Sequence, residues 1–182
     1  MDFLYSNLQP WFSADIRKLL EEDELVSLRR GKFVAMHVRR GDKIRKEATK
    51  VEVQEYFQAS ASAILQATDG QLGIESITAV WVSSDDANVL EEARELAAGF
   101  FPNVRRERVV SISFRTVADR METIPTRTDQ MTYDRYVILH TELAMMSAAD
   151  VFVGTFSSNV ARMVLLLREG LGYPRNSTMS VD

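Results

Sequence analysis

Apolar residues follow two rhythms along this chain of 182 residues. In three short blocks they run almost unbroken: FVAMHV at 33–38, ITAVWVSS at 77–84 and DVFVGT at 150–155. Such blocks are rich in β-branched and aromatic residues and turn polar only at their ends, the pattern of strands covered on both faces. A weaker strand candidate lies at 108–113. Between the blocks, apolar positions recur every three or four residues, which predicts helices. In 51–66 the spacing gathers Val53, Tyr56, Phe57, Ala61, Ile64 and Leu65 near one face. In 87–100 it runs through Val89, Leu90, Ala93, Leu96 and Ala97 and stops before Pro102. Residues 131–148 and 157–169 also read as helices, the second with Ser157 or Ser158 as its cap. An N-terminal helical stretch breaks near Pro10 and restarts at Ser13, an expected N-cap. Residues 114–130 are polar and aperiodic, which fits either a long active-site loop or a segment without fixed structure.

Strands alternating with helices imply right-handed crossovers and a parallel sheet with helices on both faces, an α/β, Rossmann-like fold. The expected division is an N-terminal helical segment, 1–30, and a Rossmann-like domain, 31–182. Ligands of such sheets sit beyond the carboxyl ends of the strands. That selects three corners: HVRRGDK at 37–43, SSDD at 83–86 and GTFSSN at 154–159.

Composition narrows what the corners can do. The content is 46% hydrophobic and 26% charged, ordinary for a globular domain. A net charge of −4 argues against a general nucleic-acid binder, whose affinity rests on clustered positive charge. The chain has no cysteine, which excludes disulfides, thiolate nucleophiles and cysteine-held zinc. Its two histidines, His37 and His140, make a histidine-rich metal site an unfavoured reading. No apolar run of membrane-spanning length occurs, and the N-terminus lacks the basic and apolar regions of a signal peptide. Taken literally this is an intracellular chain; the same features would follow for a piece of a longer secretory protein. Asn176-Ser177-Thr178 fits a glycosylation sequon, which has meaning only in a secreted setting.

Within the first corner, Arg40-Gly41-Asp42 spells an adhesion tripeptide, but nothing else suggests an extracellular loop. Arg39 and Arg40 can instead offer planar forks that match phosphate oxygens. Pairing of one arginine with Asp42, Asp85 or Asp86 is an equal alternative. The corner at 154–159 favours the anion, since a strand ending before a Ser-rich helix start presents backbone N–H groups and a positive dipole end. GxGxxG and GxxxxGK[ST] are both absent. A nucleotide or nucleotide-sugar held by arginines and a Ser-rich helix start remains.

HVRRGDK followed by Glu47 and Tyr56, then VSSDDANVLEEA, then SAADVFVGTFSSNVAR, resembles the donor-binding half of the α-1,6-fucosyltransferases, which include animal core-fucosylating enzymes and a rhizobial nodulation enzyme. The resemblance implies a GDP-fucose site in one Rossmann-like half of a two-domain, GT-B-like glycosyltransferase. It also implies inversion at the anomeric carbon, no required metal or other cofactor, and an N-glycan or chitooligosaccharide acceptor. The location implied is the Golgi lumen for a longer secretory protein, and the cytoplasm for the chain as given. By the same resemblance Arg39 contacts the diphosphate, with Arg40 beside it, and His37 contacts the nucleotide. Glu47 takes the general base's place and Lys43 its helper's; Asp42 and Tyr56 fall on residues needed for activity. Asp85 and Asp86 match an acidic pair. Phe156, Ser157 and Ser158 fall on donor-contacting positions, and Glu142 on an acidic residue that reads guanine. The family's threonine in the basic motif is Gly41 here, its guanine-reading aspartate is Glu142, and Gly154 and Ala161 stand where animal members carry cysteines. A GDP-sugar-binding module without catalysis, and an interaction domain that keeps only the fold, are the alternatives.

Overall fold

The computed structural model describes residues 8–40, 51–67, 72–112 and 129–182. Five strands form one sheet: β1 (Lys32–Val38), β2 (Ile77–Ser84), β3 (Val109–Val110), β4 (Val151–Gly154) and β5 (Thr178–Ser180). Their order is β3-β2-β1-β4-β5, and each neighbouring pair is parallel. Among the described residues, six helices connect or precede them: α1 (Pro10–Leu20), α2 (Asp23–Arg30), α3 (Val53–Ala67), α4 (Asn88–Phe100), α5 (Asp129–Ala148) and α6 (Asn159–Gly170).

Side-chain alternation on the strands explains the two cores. Phe33 and Ala35 of β1 pack with Trp81, Phe152 and the apolar faces of α1, α2, α5 and α6. Val34, Met36 and Val38 point the other way, into α3 and α4 through Tyr56, Phe57, Ile64, Val89 and Ala93. Helices therefore cover both faces, as the unbroken apolar blocks require. The two N-terminal helices share the first of these cores through Ile16, Leu20, Leu25 and Leu28.

Three local readings change. Ser13 is not a cap: α1 begins at Pro10 and Ser13 Oγ donates to the Pro10 carbonyl inside the first turn. Proline at a helix start needs no N–H partner and has its φ preset, so it wins the boundary. The weak strand shrinks to Val109–Val110. Strand β5 was not visible in the sequence, because its three residues are all half-buried and show no apolar run. What docks β5 is a buried cation. Arg168 of α6, 1% exposed, donates to Thr178 Oγ1 at 2.8 Å, to Ser177 Oγ at 2.7 Å and to the Ser177 carbonyl. It also donates to the carbonyls of Ser147, Ala149 and Asp150 and stacks on the Tyr173 ring at 4.4 Å. One side chain thus joins the end of α5, the start of β4 and the approach to β5.

The strands turn polar at one level. His37 lies beside Ser83 on one side and Gly154 on the other. A Cβ at Gly154 would sit 2.9 Å from Ala161 Cβ and 3.0 Å from Phe152 Cζ. Glycine here lets α6 start directly against the strand end.

Candidate active site

β1 and β4 are adjacent, yet the chain leaves β1 toward β2 and leaves β4 toward β5. Between strands whose connections diverge, a crevice opens beyond their carboxyl ends, where ligands of open α/β sheets bind. His37 and Arg39 flank it from β1, and Thr155 to Ser158 from β4.

By alternation with Phe33 and Ala35, His37 lies on the α5/α6 face. It is buried, and its Nδ1 has no hydrogen-bond partner among the described residues. Burial pushes its pKa down to about 4; the Asp85 carboxylate opposes this and the Arg39 guanidinium adds to it. The imidazole is therefore neutral at pH 7. An unfolded chain binds the proton near pH 6.5 while the fold refuses it until about pH 4. Stability contributed by neutral His37 is complete above pH 6.5 and declines as pH falls toward 4, by roughly 3 kcal/mol over the window. Urea unfolding of the intact chain and of His37→Asn at pH 7 and pH 4.5 checks this: the loss on acidification is smaller in the variant.

The arginines part company. Arg40 turns into the α3/α4 side, where Nη1 lies 2.5 Å from Glu92 Oε1, Nη2 lies 2.8 Å from Glu92 Oε2, and a further contact of 3.3 Å reaches Glu52. Its side chain is 5% exposed. Its backbone N–H donates to Asp85 Oδ1 at 2.8 Å, latching the end of β1 to the end of β2. The Arg40 guanidinium thus forms ion pairs, but with glutamates of α4 and the approach to α3 rather than with the aspartates expected from the sequence. Asp86 accepts from the Asn88 N–H at 3.0 Å, just ahead of α4. Arg39 is half-buried, one residue beyond the strand, with its charge felt at His37.

Tyr56 reaches the crevice from α3. Burial raises its pKa to about 12, against hydrogen bonds with the Thr155 side chain and the Arg39 backbone. It therefore ties β1 to β4 at the crevice as a neutral phenol. Glu142 is buried on α5, the helix layer facing the His37 side. Asp42, Lys43 and Glu47 lie outside the described residues.

The Ser-rich turn is arranged differently from the expectation that its amides face a ligand. The N–H of Phe156 donates to Asp182 Oδ1 at 2.7 Å and the N–H of Ser157 to Asp182 Oδ2 at 2.9 Å. Ser180 Oγ also donates to Asp182 Oδ1, at 2.5 Å. Burial of the carboxyl works against its charge. The Ser157 and Ser180 hydroxyls and the two amides outweigh it and bring its pKa down to about 2. Ser158 is the N-cap residue of α6, but its hydroxyl makes no cap bond; it is buried with no partner among the described residues. Asp182 escaped the sequence reading because β5 did, and only the Ser-x-Asp spacing after Thr178 hinted at it.

Among the described residues no group of three or more His, Cys, Asp or Glu side chains is placed to hold a metal ion, and no helix is long and apolar enough to cross a membrane. Residues 11–172 match the family model for α-(1,6)-fucosyltransferase N- and catalytic domains. The chain belongs to the α-1,6-fucosyltransferase family. Among curated proteins none matches its sequence. Solved structures similar to it include POFUT1 in complex with GDP, at 16% identity and a TM-score of 0.50, over 94% of this chain and 46% of that one. The NodZ α-1,6-fucosyltransferase soaked with GDP-fucose aligns at 17% identity and a TM-score of 0.46, over 87% of this chain and 42% of that one. NodZ from Bradyrhizobium is similar at 15% identity, with a TM-score of 0.47 over the same shares. The family member described here thus spans less than half the length of these solved structures, and it shares the α/β fold of the POFUT1 structure.

Proposed function

We propose that this family member is a glycosyltransferase that binds GDP-fucose in the crevice between β1 and β4. It transfers the fucosyl group, with inversion and without a metal, to a hydroxyl of an N-glycan or chitooligosaccharide. One observation carries the reading: His37 Nδ1 and Ser158 Oγ, both buried and unpartnered among the described residues, come from the two strand ends that flank the crevice. Buried polar atoms ordinarily have partners, and a nucleotide diphosphate supplies them. The Arg39 guanidinium beside His37 supplies charge for the phosphates.

In the transfer, the acceptor oxygen forms a bond to the anomeric carbon as the bond from that carbon to the phosphate oxygen breaks, and GDP leaves with its electron pair. Arg39 stabilises the negative charge that grows on the departing phosphate. The acceptor's proton passes to a carboxylate, the role that falls to Glu47 by the family motif, with Lys43 and Asp42 beside it. Glu142 accepts from guanine N–H groups, a pattern that adenine does not offer.

Titration calorimetry of the purified chain with GDP and GDP-fucose tests the donor assignment, with binding of both expected whether or not EDTA is present. Absence of GDP binding overturns it. Glu47→Gln keeps GDP binding and abolishes transfer to chitooligosaccharide or N-glycan. Donor binding by the intact chain without transfer favours a GDP-sugar-binding module.

A further inference from the structure

A helix start that follows a parallel strand is a ready anion seat, and here the protein's own carboxylate sits in part of it. The two oxygens of Asp182 bridge consecutive amides, Phe156 and Ser157, while the Ser157 and Ser180 hydroxyls close around them. Ser180 Oγ is itself tied to the same turn, accepting from the Phe156 N–H at 3.0 Å and lying 3.3 Å from the Gly154 carbonyl oxygen. The Val181 N–H donates to Gly154 as well. The chain from Ser180 to Asp182 therefore grips the turn between β4 and α6 along its whole length.

The grip has a direction. It draws two amides and one hydroxyl toward β5, leaving the hydroxyl of Ser158, the next residue, buried and without a partner among the described residues at the start of α6. Ser158 is held from behind, since its N–H donates to the Thr155 carbonyl at 2.9 Å. Thr155 bonds in turn with Tyr56, whose phenol senses the Asp182 charge. A ligand in the crevice thus meets a turn whose orientation is set from the β5 side.

We propose that Asp182 is a positioning residue for the phosphate end of the bound nucleotide. It withdraws the Phe156 and Ser157 amides from the ligand and fixes the turn so that Ser158 presents its hydroxyl beside Arg39. This rests on the donor assignment made above. Asp182 does not touch the ligand. Removing its carboxylate lets both amides swing and misplaces Ser158, which weakens the phosphate contacts and spares those to the base.

The test compares GDP with guanosine in calorimetric titrations of the intact chain, Asp182→Asn and Ser180→Ala, alongside amide hydrogen exchange by NMR. Asp182→Asn is expected to weaken GDP roughly tenfold, the equivalent of one lost charge-assisted bond, and to leave guanosine unchanged. Ser180→Ala keeps the carboxylate and shows the same selectivity more weakly. Asp150→Asn is the control for plain destabilisation. It removes the ion pair with Lys32 Nζ and leaves one oxygen where two served Lys32 and the Phe33 N–H at the far end of the sheet, and shifts the thermal midpoint without separating GDP from guanosine. The exchange arm does not depend on any nucleotide: protection at Phe156 and Ser157 is expected in the intact chain, and in Asp182→Asn it falls most at Ser157, since the Phe156 N–H also has Ser180 Oγ as acceptor. Equal weakening of GDP and guanosine overturns the proposal, as does tighter GDP binding by Asp182→Asn, which would make the carboxylate a competitor. Unprotected amides in the intact chain also overturn it. An intact chain with protected amides and no affinity for GDP sinks the donor assignment, and the proposed role at the phosphates with it, while leaving the turn's architecture standing.

Discussion

Arg39→Ala binds GDP at least about a hundredfold more weakly than the intact chain, because it removes two charge-assisted bonds worth roughly 1.5 kcal/mol each or more. Arg39 stands one residue past β1, close enough to His37 to help hold the imidazole neutral. Its neighbour cannot substitute for it, since the Arg40 fork is engaged by Glu92 and Glu52 on the opposite side of the sheet. Arg39→Lys keeps the charge without the planar fork and falls between, roughly tenfold weaker than the intact chain. Calorimetric titration at fixed ionic strength measures all three. Arg39 is half-buried and one residue outside the strand, so the thermal midpoint of Arg39→Ala stays close to that of the intact chain. Undiminished GDP affinity in that variant would remove the phosphates from this corner.

The largest loss of stability is expected from Arg168→Ala, about 4 kcal/mol, a large share of the 5–15 kcal/mol typical of a domain. The guanidinium is a buried cation whose acceptors are carbonyls and hydroxyls, and desolvation brings its pKa down to about 10. It stays charged at neutral pH. Truncation strands the carbonyls of Ser147, Ala149 and Ser177 without this donor, and an unsatisfied buried polar group costs about 1–3 kcal/mol. A cavity beneath Tyr173 adds to the loss. Arg168→Met refills much of the volume but none of the bonds, so it recovers only the cavity part. Urea midpoints compare the three proteins; a loss below about 1 kcal/mol for Arg168→Ala would show that the bonds are replaced by solvent.

Much of the fold was legible because burial on both faces leaves a plain mark in sequence. ITAVWVSS is β2 to the residue, and FVAMHV misses only Lys32 of β1. Helix α4 was readable from its 3.6-residue period, one residue off at the start. Strand β5 was not, since Thr178, Met179 and Ser180 are held by Arg168 and by pairing with β4 instead of by an apolar run. The same holds at the site. The strand-end rule pointed to the corners, and the family motif pointed to Arg39 for the phosphates. The partners of each charge were beyond reach. Arg40 meets Glu92 across 52 positions of chain, and Asp182 meets Ser157 across 25. Local spacing carries no trace of such contacts, so neither the glutamate partners of Arg40 nor any role for Asp182 could be read from it.

The sheet's outer strands have a further consequence, for self-association. Among the described residues β3 is two residues long and β5 three, around an interior of long, β-branched strands. An unpaired strand border is a template for another chain, and very short borders are one way proteins blunt it. An incoming strand would gain only a few ladder bonds against the entropy of ordering itself. Among the described residues, the short, polar β5 thus offers an added strand as little ladder as it offered the sequence an apolar run.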